Sequence, residues 1–211
     1  MDTENKTIET RSEDTASLPP HLKSIFDFVE MFAVAACIVL LIFTFLTRMI
    51  VVDGDSMNTT LINGERILIT DLFYTPKQGD IVVVHSPDVL DGKAIVKRVI
   101  ATEGQLVEIK RDGVYVYNPD GSGGKLQETD GSLGYTVVTV EEREAPDGSV
   151  IRLPYSYSPQ TILVGEGEVF VMGDNRPDSY DSEEFGCVSE RAIVGKAYVR
   201  LFPLSKLGAI R

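Results

Sequence analysis

Cysteine, histidine and basic residues are scarce in this 211-residue sequence, and each shortage excludes a class of protein. The two cysteines cannot supply a disulfide framework, because Cys37 lies inside an apolar run and Cys187 lies far outside it. The two histidines, His21 and His85, are isolated, and no zinc-type Cys/His spacing occurs. Lysine and arginine total 20 against 32 acidic residues, a net charge of −12, which argues against a nucleic-acid partner.

Motifs for cofactors are missing as well. The sequence has no dinucleotide or phosphate-binding glycine loop and no internal repeat. The acidic segment 173–186 fails as a calcium loop: with Asp174 in first position, Ser179 stands where glycine is needed and Phe185 where a bidentate carboxylate is needed. We therefore expect neither a cofactor nor a metal.

One long apolar run is present, from Met31 to Thr47, and it contains no charge. With its flanks it reaches the roughly 20 residues that a bilayer requires. A cleavable signal peptide would need a basic segment before the run and a small-x-small site after it, and neither is found. We predict a disordered cytoplasmic tail (1–24), a transmembrane anchor (25–50) and an extracytoplasmic β-domain (51–211). The N-terminus is placed inside because basic residues precede the span: Lys6, Arg11 and Lys23.

Beyond the anchor, short β-branched and aromatic runs alternate with turn sequences such as Asn63-Gly64 and Asp112-Gly113. The runs predicted as strands begin at Arg66, Asp80, Ala94, Leu106, Gly113, Tyr135 and Glu168. This pattern is typical of antiparallel sheets. We predict a mainly β fold, an antiparallel β-sandwich or barrel-like domain with one N-terminal transmembrane helix. Residues 118–167, rich in Gly, Asp, Glu and Tyr, are interpreted as an insertion with one or two strands.

Ser56 is a candidate nucleophile, because it follows the apolar run closely and Gly54 before it permits close approach of another chain. An ordinary Gly/Asp/Ser turn is the alternative. A serine hydroxyl also needs a base. His21 precedes the span and His85 ends a predicted strand, which leaves Lys97, set among apolar residues where desolvation lowers the pKa of an amine. Strand alternation gives Arg98 an equally apolar setting, but arginine does not give up its proton.

These residues resemble the motifs of bacterial type I signal peptidases, membrane-bound serine peptidases that use a Ser/Lys pair. Four stretches match in order after the anchor: Gly54 to Leu61, Gly79 to Val83, Val96 to Ile100 and Gly173 to Gly186. The resemblance implies that Ser56 is the nucleophile, that Lys97 is the general base and that the Ser179 hydroxyl positions the lysine amine. The single anchor and Gly54 are similar to the short Gram-positive form.

The sequence departs from that family at three positions. Thr59 replaces a proline, at a cost of about 0.5–1 kcal/mol through the unfolded state. Glu183 replaces an arginine that pairs with the aspartate matching Asp181, so Arg191 or another cation is the expected substitute. Ala101 replaces a glycine after the lysine motif, a mild change.

The resemblance implies a catalytic β-domain that removes N-terminal signal peptides from secreted preproteins through an acyl-enzyme. The oxyanion would be met by the Ser56 N–H. Expected partners are preproteins with small residues before the cut, membrane lipid and the secretion translocon. Candidate walls of the substrate pockets are Val51, Val52, Met57 and the strand Val82 to Val84. Two rival hypotheses remain: a membrane-anchored β-domain that binds peptides without cutting them, and a self-cleaving Ser/Lys protease.

Overall fold

The computed structural model describes residues 19–87, 92–128, 135–144 and 149–210, with no side-chain description for residues 20, 21, 42–46 and 143. Most of the predicted tail, residues 1–18, lies outside this description. The chain divides into two compact units, Met1–Ile42 and Phe43–Arg211.

The N-terminal helix α1 runs from Pro20 to Leu46. Its segment Leu22–Leu41 has a mean hydropathy of 2.2 and is not covered by protein. Even a large aromatic side chain such as Phe32 is 67% exposed. A helix that is apolar on all sides is stable where lipid, not water, surrounds it. The helix α1 ends at Leu46, earlier than the predicted anchor, which extended to residue 50. Residues from Arg48 onward form a strand instead.

The rest of the chain is built from short strands, and the predicted antiparallel, mainly β fold is confirmed. The strands are β1 (Arg48–Val51), β2 (Arg66–Thr70), β3 (Ile81–His85), β4 (Ala94–Thr102), β5 (Leu106–Lys110), β6 (Gly113–Tyr117), β7 (Gly123–Lys125), β8 (Val140–Glu144), β9 (Val150–Pro154), β10 (Gln160–Leu163), β11 (Glu168–Met172), β12 (Val188–Ser189), β13 (Ile193–Phe202) and β14 (Gly208–Ala209). One helical turn, α2 (Ser182–Phe185), precedes β12.

Three antiparallel sheets result. The main sheet has the order β1-β2-β13-β3-β4-β11-β12, with β14 paired to β13. A second sheet has the order β10-β5-β6-β7, and β8 and β9 form a separate hairpin. A core cluster joins the first two sheets, since Ile100 of β4 and Phe170 of β11 pack with Val107 of β5 and Val114 of β6. Burying these β-branched and aromatic side chains between the two sheets is the main stabilising term.

Three strand predictions need correction. The predicted strand from Tyr135 begins only at Val140. Tyr135 and Val137 are buried, but the backbone of Val138 forms an isolated bridge with Asn175 outside any sheet. The described residues of the insertion form four strands, β7 to β10, and not one or two. The strand β13, central in the main sheet, was missed because Gly195 and charged residues interrupt its apolar alternation.

Candidate active site

The loop between β1 and β2 carries Ser56 at a partly buried position. Gly54 adopts φ 93°, a conformation that favours glycine, and so turns the chain toward Ser56. The neighbouring side chain of Met57 and that of Leu61 are buried in a core cluster with Val83. This apolar packing fixes the loop on the main sheet.

Asn175 and Asp174 hold the Ser56 loop from the far end of the sequence. The Asn175 N–H donates to the Ser56 carbonyl oxygen at 2.9 Å, and Asn175 Nδ2 donates to the Asp55 carbonyl oxygen at 3.1 Å. Thr60 Oγ1 donates to Asp174 Oδ2 at 2.5 Å. The structure therefore assigns these three residues a positioning task that the sequence pattern did not indicate, because the partners stand more than 110 residues apart.

Gly173 is the point where the segments that carry Ser56, Lys97 and Ser179 meet. It follows Met172, which is paired with Arg98 across β11 and β4, so the register sets Gly173 beside Lys97. A Cβ at Gly173 would overlap Ser179 Oγ and lie 2.5 Å from the Ser56 carbonyl oxygen. Only glycine leaves room for both serines here, so the structure brings the Ser56 and Ser179 segments together next to the Lys97 strand.

Lys97 is 2% exposed, and its side-chain amine forms no ion pair or hydrogen bond within the part of the chain that the structure describes. Burial lowers the pKa of its amine, and the charges of Asp181, Glu184, Asp174 and Asp178 oppose that shift. A neutral amine at this position can accept a proton, which is what a general base must do.

The neighbouring Arg98, 0% exposed, is committed to structure instead. Its Nε and Nη2 donate to Asp174 at 2.8 and 2.6 Å, and its Nη1 donates to the Gly79 carbonyl oxygen at 2.6 Å. The guanidinium carbon also lies 3.8 Å from the centre of the Tyr135 ring. The Arg98 side chain therefore has charged and polar partners, whereas the Lys97 side chain has none among the described residues. Strand alternation alone could not distinguish the two residues as candidate bases.

Ser179 is fixed by Asp181. The Ser179 hydroxyl donates to Asp181 Oδ2 at 2.6 Å, and the same oxygen accepts the Gly173 N–H at 2.8 Å. Asp181 Oδ1 accepts the Glu183 N–H at 3.1 Å, as the N-cap of α2. Two backbone N–H groups and the Ser179 hydroxyl thus donate to this carboxylate without a cation.

The expected replacement of the family's arginine by Arg191 is wrong: no ion pair joins Arg191 to Asp181 among the described residues. Glu183 Oε1 instead accepts the Ser158 N–H at 2.8 Å, and burial raises the pKa of the Glu183 carboxyl. The Glu183 side chain therefore contacts the backbone of the insertion and not a charged side chain.

The insertion is joined to the site by a second buried ion pair. Arg176 pairs with Glu128, and the side chains are 0% and 5% exposed. Arg176 also donates to the Tyr157 hydroxyl at 3.1 Å and, through Nε, to the Gly173 carbonyl oxygen at 2.9 Å. Glu128 and Tyr157 were not anticipated, since nothing in their local sequence distinguishes them from other loop residues.

The predicted pocket walls divide between two core clusters. Val52, Met57 and Val83 are buried together, whereas Val82 and Val84 point to the opposite face of β3 and pack with Val99. Val51 is 58% exposed. The prediction for Val82 and Val84 is therefore wrong, because the two-residue period of a strand turns them away from the cluster that contains Met57. Among the described residues no group of three His, Cys, Asp or Glu side chains could hold a metal ion.

Comparison with known proteins gives consistent matches. A family model described as "Signal peptidase, peptidase S26" matches residues 25–202. A probable signal peptidase I-1 of Synechocystis is 32% identical over 202 residues, 92% of this chain and 90% of that protein. Signal peptidase IB of Staphylococcus aureus is 31% identical over 187 residues, 87% of this chain and 93% of that protein. A crystal structure of a signal peptidase I from Enterococcus faecalis is 29% identical, covers 58% of this chain and 97% of that chain, and has a TM-score of 0.38.

Together with the apolar helix α1, the family model and the two curated relatives define a membrane serine endopeptidase. The chain belongs to the signal peptidase S26 family, and its activity is the removal of signal peptides from preproteins. A binding domain without catalysis and a self-cleaving protease are not favoured.

Proposed function

We propose that Ser56 and Lys97 are the catalytic pair of this peptidase and that Ser179 positions the lysine amine. One observation carries the proposal: Lys97 is buried without an ion pair in the described protein, on the strand beside Gly173, where the Ser56 and Ser179 segments converge. The neighbouring Arg98, by contrast, is a buried cation with a structural role, and an ion pair with Asp174 neutralises its charge. An amine left uncompensated is suited to losing its proton.

The chemistry has two stages. Neutral Lys97 takes the Ser56 hydroxyl proton as the oxygen attacks the peptide carbonyl, and the lysine then gives that proton to the leaving amine. The acyl-enzyme on Ser56 is hydrolysed by a water that the same amine activates. The Ser56 N–H donates no hydrogen bond within the described part of the chain, so it is available to the oxyanion.

Ser179 and Asp181 act through Lys97. The Asp181 carboxylate fixes the Ser179 hydroxyl and the Gly173 N–H at the same oxygen, which sets the direction of the serine side chain. A hydroxyl held in this way can accept one N–H of the lysine amine and direct the free electron pair toward Ser56. The carboxylate itself stays out of the proton transfer.

The substrate is a preprotein whose residues before the cut are small and whose cleavage segment binds as an added strand. The proposed topology is a cytoplasmic N-terminus and an extracytoplasmic catalytic domain, supported by the basic residues ahead of the span. Only residues 47–55 separate the end of α1 from Ser56. Even a fully extended chain of that length covers about 30 Å, which is the upper limit for the distance between Ser56 and the end of α1. Membrane lipid and the translocon would present the substrate at this level.

The test is cleavage of a preprotein after a small-x-small site by the full chain in detergent. Ser56→Ala and Lys97→Ala should each abolish cleavage, and the double variant should be no slower than either, because the two residues act as one unit. Lys97→Arg should be equally inactive, since the guanidinium keeps its proton. Lys110→Arg, an exposed lysine on β5, is the matched control and should retain full activity. Activity in Lys97→Arg would refute the role of general base.

A further inference from the structure

The buried guanidinium of Arg176 has its partners on both the Gly173 turn and the insertion. Its side chain is 0% exposed, and its Nε donates to the Gly173 carbonyl oxygen at 2.9 Å. The other two nitrogens are directed to the insertion: Nη1 donates to the Tyr157 hydroxyl at 3.1 Å, and Nη2 forms an ion pair with Glu128. Among the described residues, Glu128 supplies the one carboxylate that pairs with this cation.

A second carboxylate, that of Asp181, is bound to the same turn. Asp181 Oδ2 accepts the Gly173 N–H at 2.8 Å and the Ser179 hydroxyl at 2.6 Å. Arg176 and Asp181 therefore bind the two polar backbone groups of a single residue, Gly173, and the charge of Asp181 acts on the guanidinium. Opposite charges so placed attract each other, yet in the described protein no ion pair joins them.

Glu128 is held in position against the guanidinium by backbone hydrogen bonds. Its carbonyl oxygen accepts the Val137 N–H at 2.9 Å, and the Arg176 N–H donates to the carbonyl oxygen of Val138, the next residue, at 3.1 Å. The Glu128 side chain is 5% exposed, so water does not replace it as a partner. An arginine keeps its charge when buried and therefore requires an anion.

Loss of the Glu128 charge would leave the guanidinium beside two other carboxylates. Glu183 interacts with its charge, but the Glu183 carboxylate is already bound to the Ser158 N–H at 2.8 Å in the insertion. Asp181 is attached to the same turn as the guanidinium, and its carboxylate has no cation among the described residues. Asp181 is therefore the carboxylate that Arg176 would take in place of Glu128.

Resting on the proposed role of Ser179, we propose that Glu128 is a positioning residue: it holds the Arg176 guanidinium and so leaves Asp181 to orient the Ser179 hydroxyl. Without Glu128 the guanidinium turns to Asp181, and the carboxylate oxygen that now fixes Ser179 accepts from arginine instead. The insertion thus supports the reaction through a charge and without touching the substrate.

The first test measures kcat and KM separately for Glu128→Gln, Ser179→Ala and their combination, with the full chain in detergent and one small-x-small peptide. Glu128→Gln keeps the size of the side chain and removes its charge, so kcat should fall by roughly 10- to 100-fold while KM stays within about threefold. Both substitutions remove the same oriented hydroxyl, so the combination should be no slower than Ser179→Ala. Losses that multiply in the combination would overturn the proposal.

The pH profile separates this role from a purely structural one. Burial lowers the pKa of Lys97, and the charges that oppose this shift are, in decreasing order, those of Asp181, Glu184, Asp174 and Asp178. A guanidinium paired with Asp181 cancels the largest of them, so the pKa of Lys97 falls further. In Glu128→Gln the acidic limb of kcat/KM should therefore move to lower pH by roughly one unit. An acidic limb at the parent's position would mean that Glu128 only stabilises the fold.

A second variant, Glu128→Gln/Arg176→Gln, decides the question even if Glu128→Gln alone does not fold. It removes both charges together, so neither is left buried without its partner. With no guanidinium to take Asp181, its acidic limb should lie at the parent's position, and addition of Ser179→Ala should slow it as much as it slows the parent. A shifted limb, or indifference to Ser179→Ala, would overturn the proposal.

Glu142→Gln is the matched control, because it breaks a Glu–Arg pair of the same insertion that is exposed, the pair with Arg152. Its kcat and its acidic limb should equal those of the parent. Ser179→Ala distinguishes the two levels of the reasoning. Cleavage by Ser179→Ala at the parent's rate would refute the proposed role of Ser179, whereas a slow Ser179→Ala beside a fully active Glu128→Gln would overturn the role of Glu128 alone.

Discussion

Replacing the two buried basic residues of β4 by methionine, one at a time, should affect the stability of the fold very differently. Arg98→Met leaves Asp174 buried and unpaired, and breaking a buried pair in this way costs about 3–5 kcal/mol. For a unit of this size the midpoint of thermal unfolding should fall by roughly 6–20 °C. Lys97→Met removes an amine that has no partner to lose, so the cost of burying charge disappears and stability should be equal or higher.

The difference in stability between Lys97→Met and the parent should decrease as pH rises. Its folded-state pKa is lowered, so below that value the charged amine destabilises the fold, by about 1.4 kcal/mol for each unit of difference from the unfolded value. The penalty declines as pH rises and vanishes above the unfolded pKa. The advantage of Lys97→Met over the parent should therefore be larger at pH 7 than at pH 11.

Thermal unfolding of the full chain in detergent, followed by circular dichroism at both pH values, measures these differences. Lys110→Met is the control, because Lys110 pairs with Glu108 at the surface and such pairs contribute under about 1 kcal/mol. Equal destabilisation by Lys97→Met and Arg98→Met would refute the view that only one of these cations is compensated.

Two further predictions concern activity. Because burial lowers the pKa of Lys97, kcat/KM should rise with pH and level off well below the pKa of a free lysine. Glu184→Gln removes a carboxylate that raises the pKa of Lys97, so the acidic limb of the pH profile should move to lower pH. The control Glu166→Gln should leave the acidic limb in place. A steep rise still present at pH 10 would contradict the burial argument. Deletion of residues 1–46 keeps β1 and its pairing with β2, so cleavage of short soluble peptides should persist while processing of membrane-inserted preproteins falls sharply. Equal loss on both substrates would show that the anchor supports the fold.

The sequence was informative where the signal is local. The apolar run, the alternating strands and the four motifs predicted the anchor, the β-domain and the family, because each depends on residues close together in the chain. Ser56, Lys97 and Ser179 were selected from their neighbours and from a resemblance, and their roles stay predictions.

Contacts between distant segments were not predictable in this way. The ion pair of Arg98 with Asp174 and that of Arg176 with Glu128 join segments whose proximity only the folded sheets create. The expected partner of Asp181 was wrong for a related reason: charge alone suggested Arg191, whereas the N–H groups of Gly173 and Glu183 supply the donors. Backbone N–H groups leave no mark in a sequence, so their role as donors is seen only in the folded structure.

The buried pair of Arg176 and Glu128 has a consequence for any attempt to make a smaller enzyme. Arg176 supports the Gly173 turn from within, yet its only carboxylate partner in the described protein comes from the insertion. Trimming residues 118–167 to a tight turn would strand a guanidinium in the interior directly behind the two serines. A shortened version would therefore have to carry a neutral side chain at position 176.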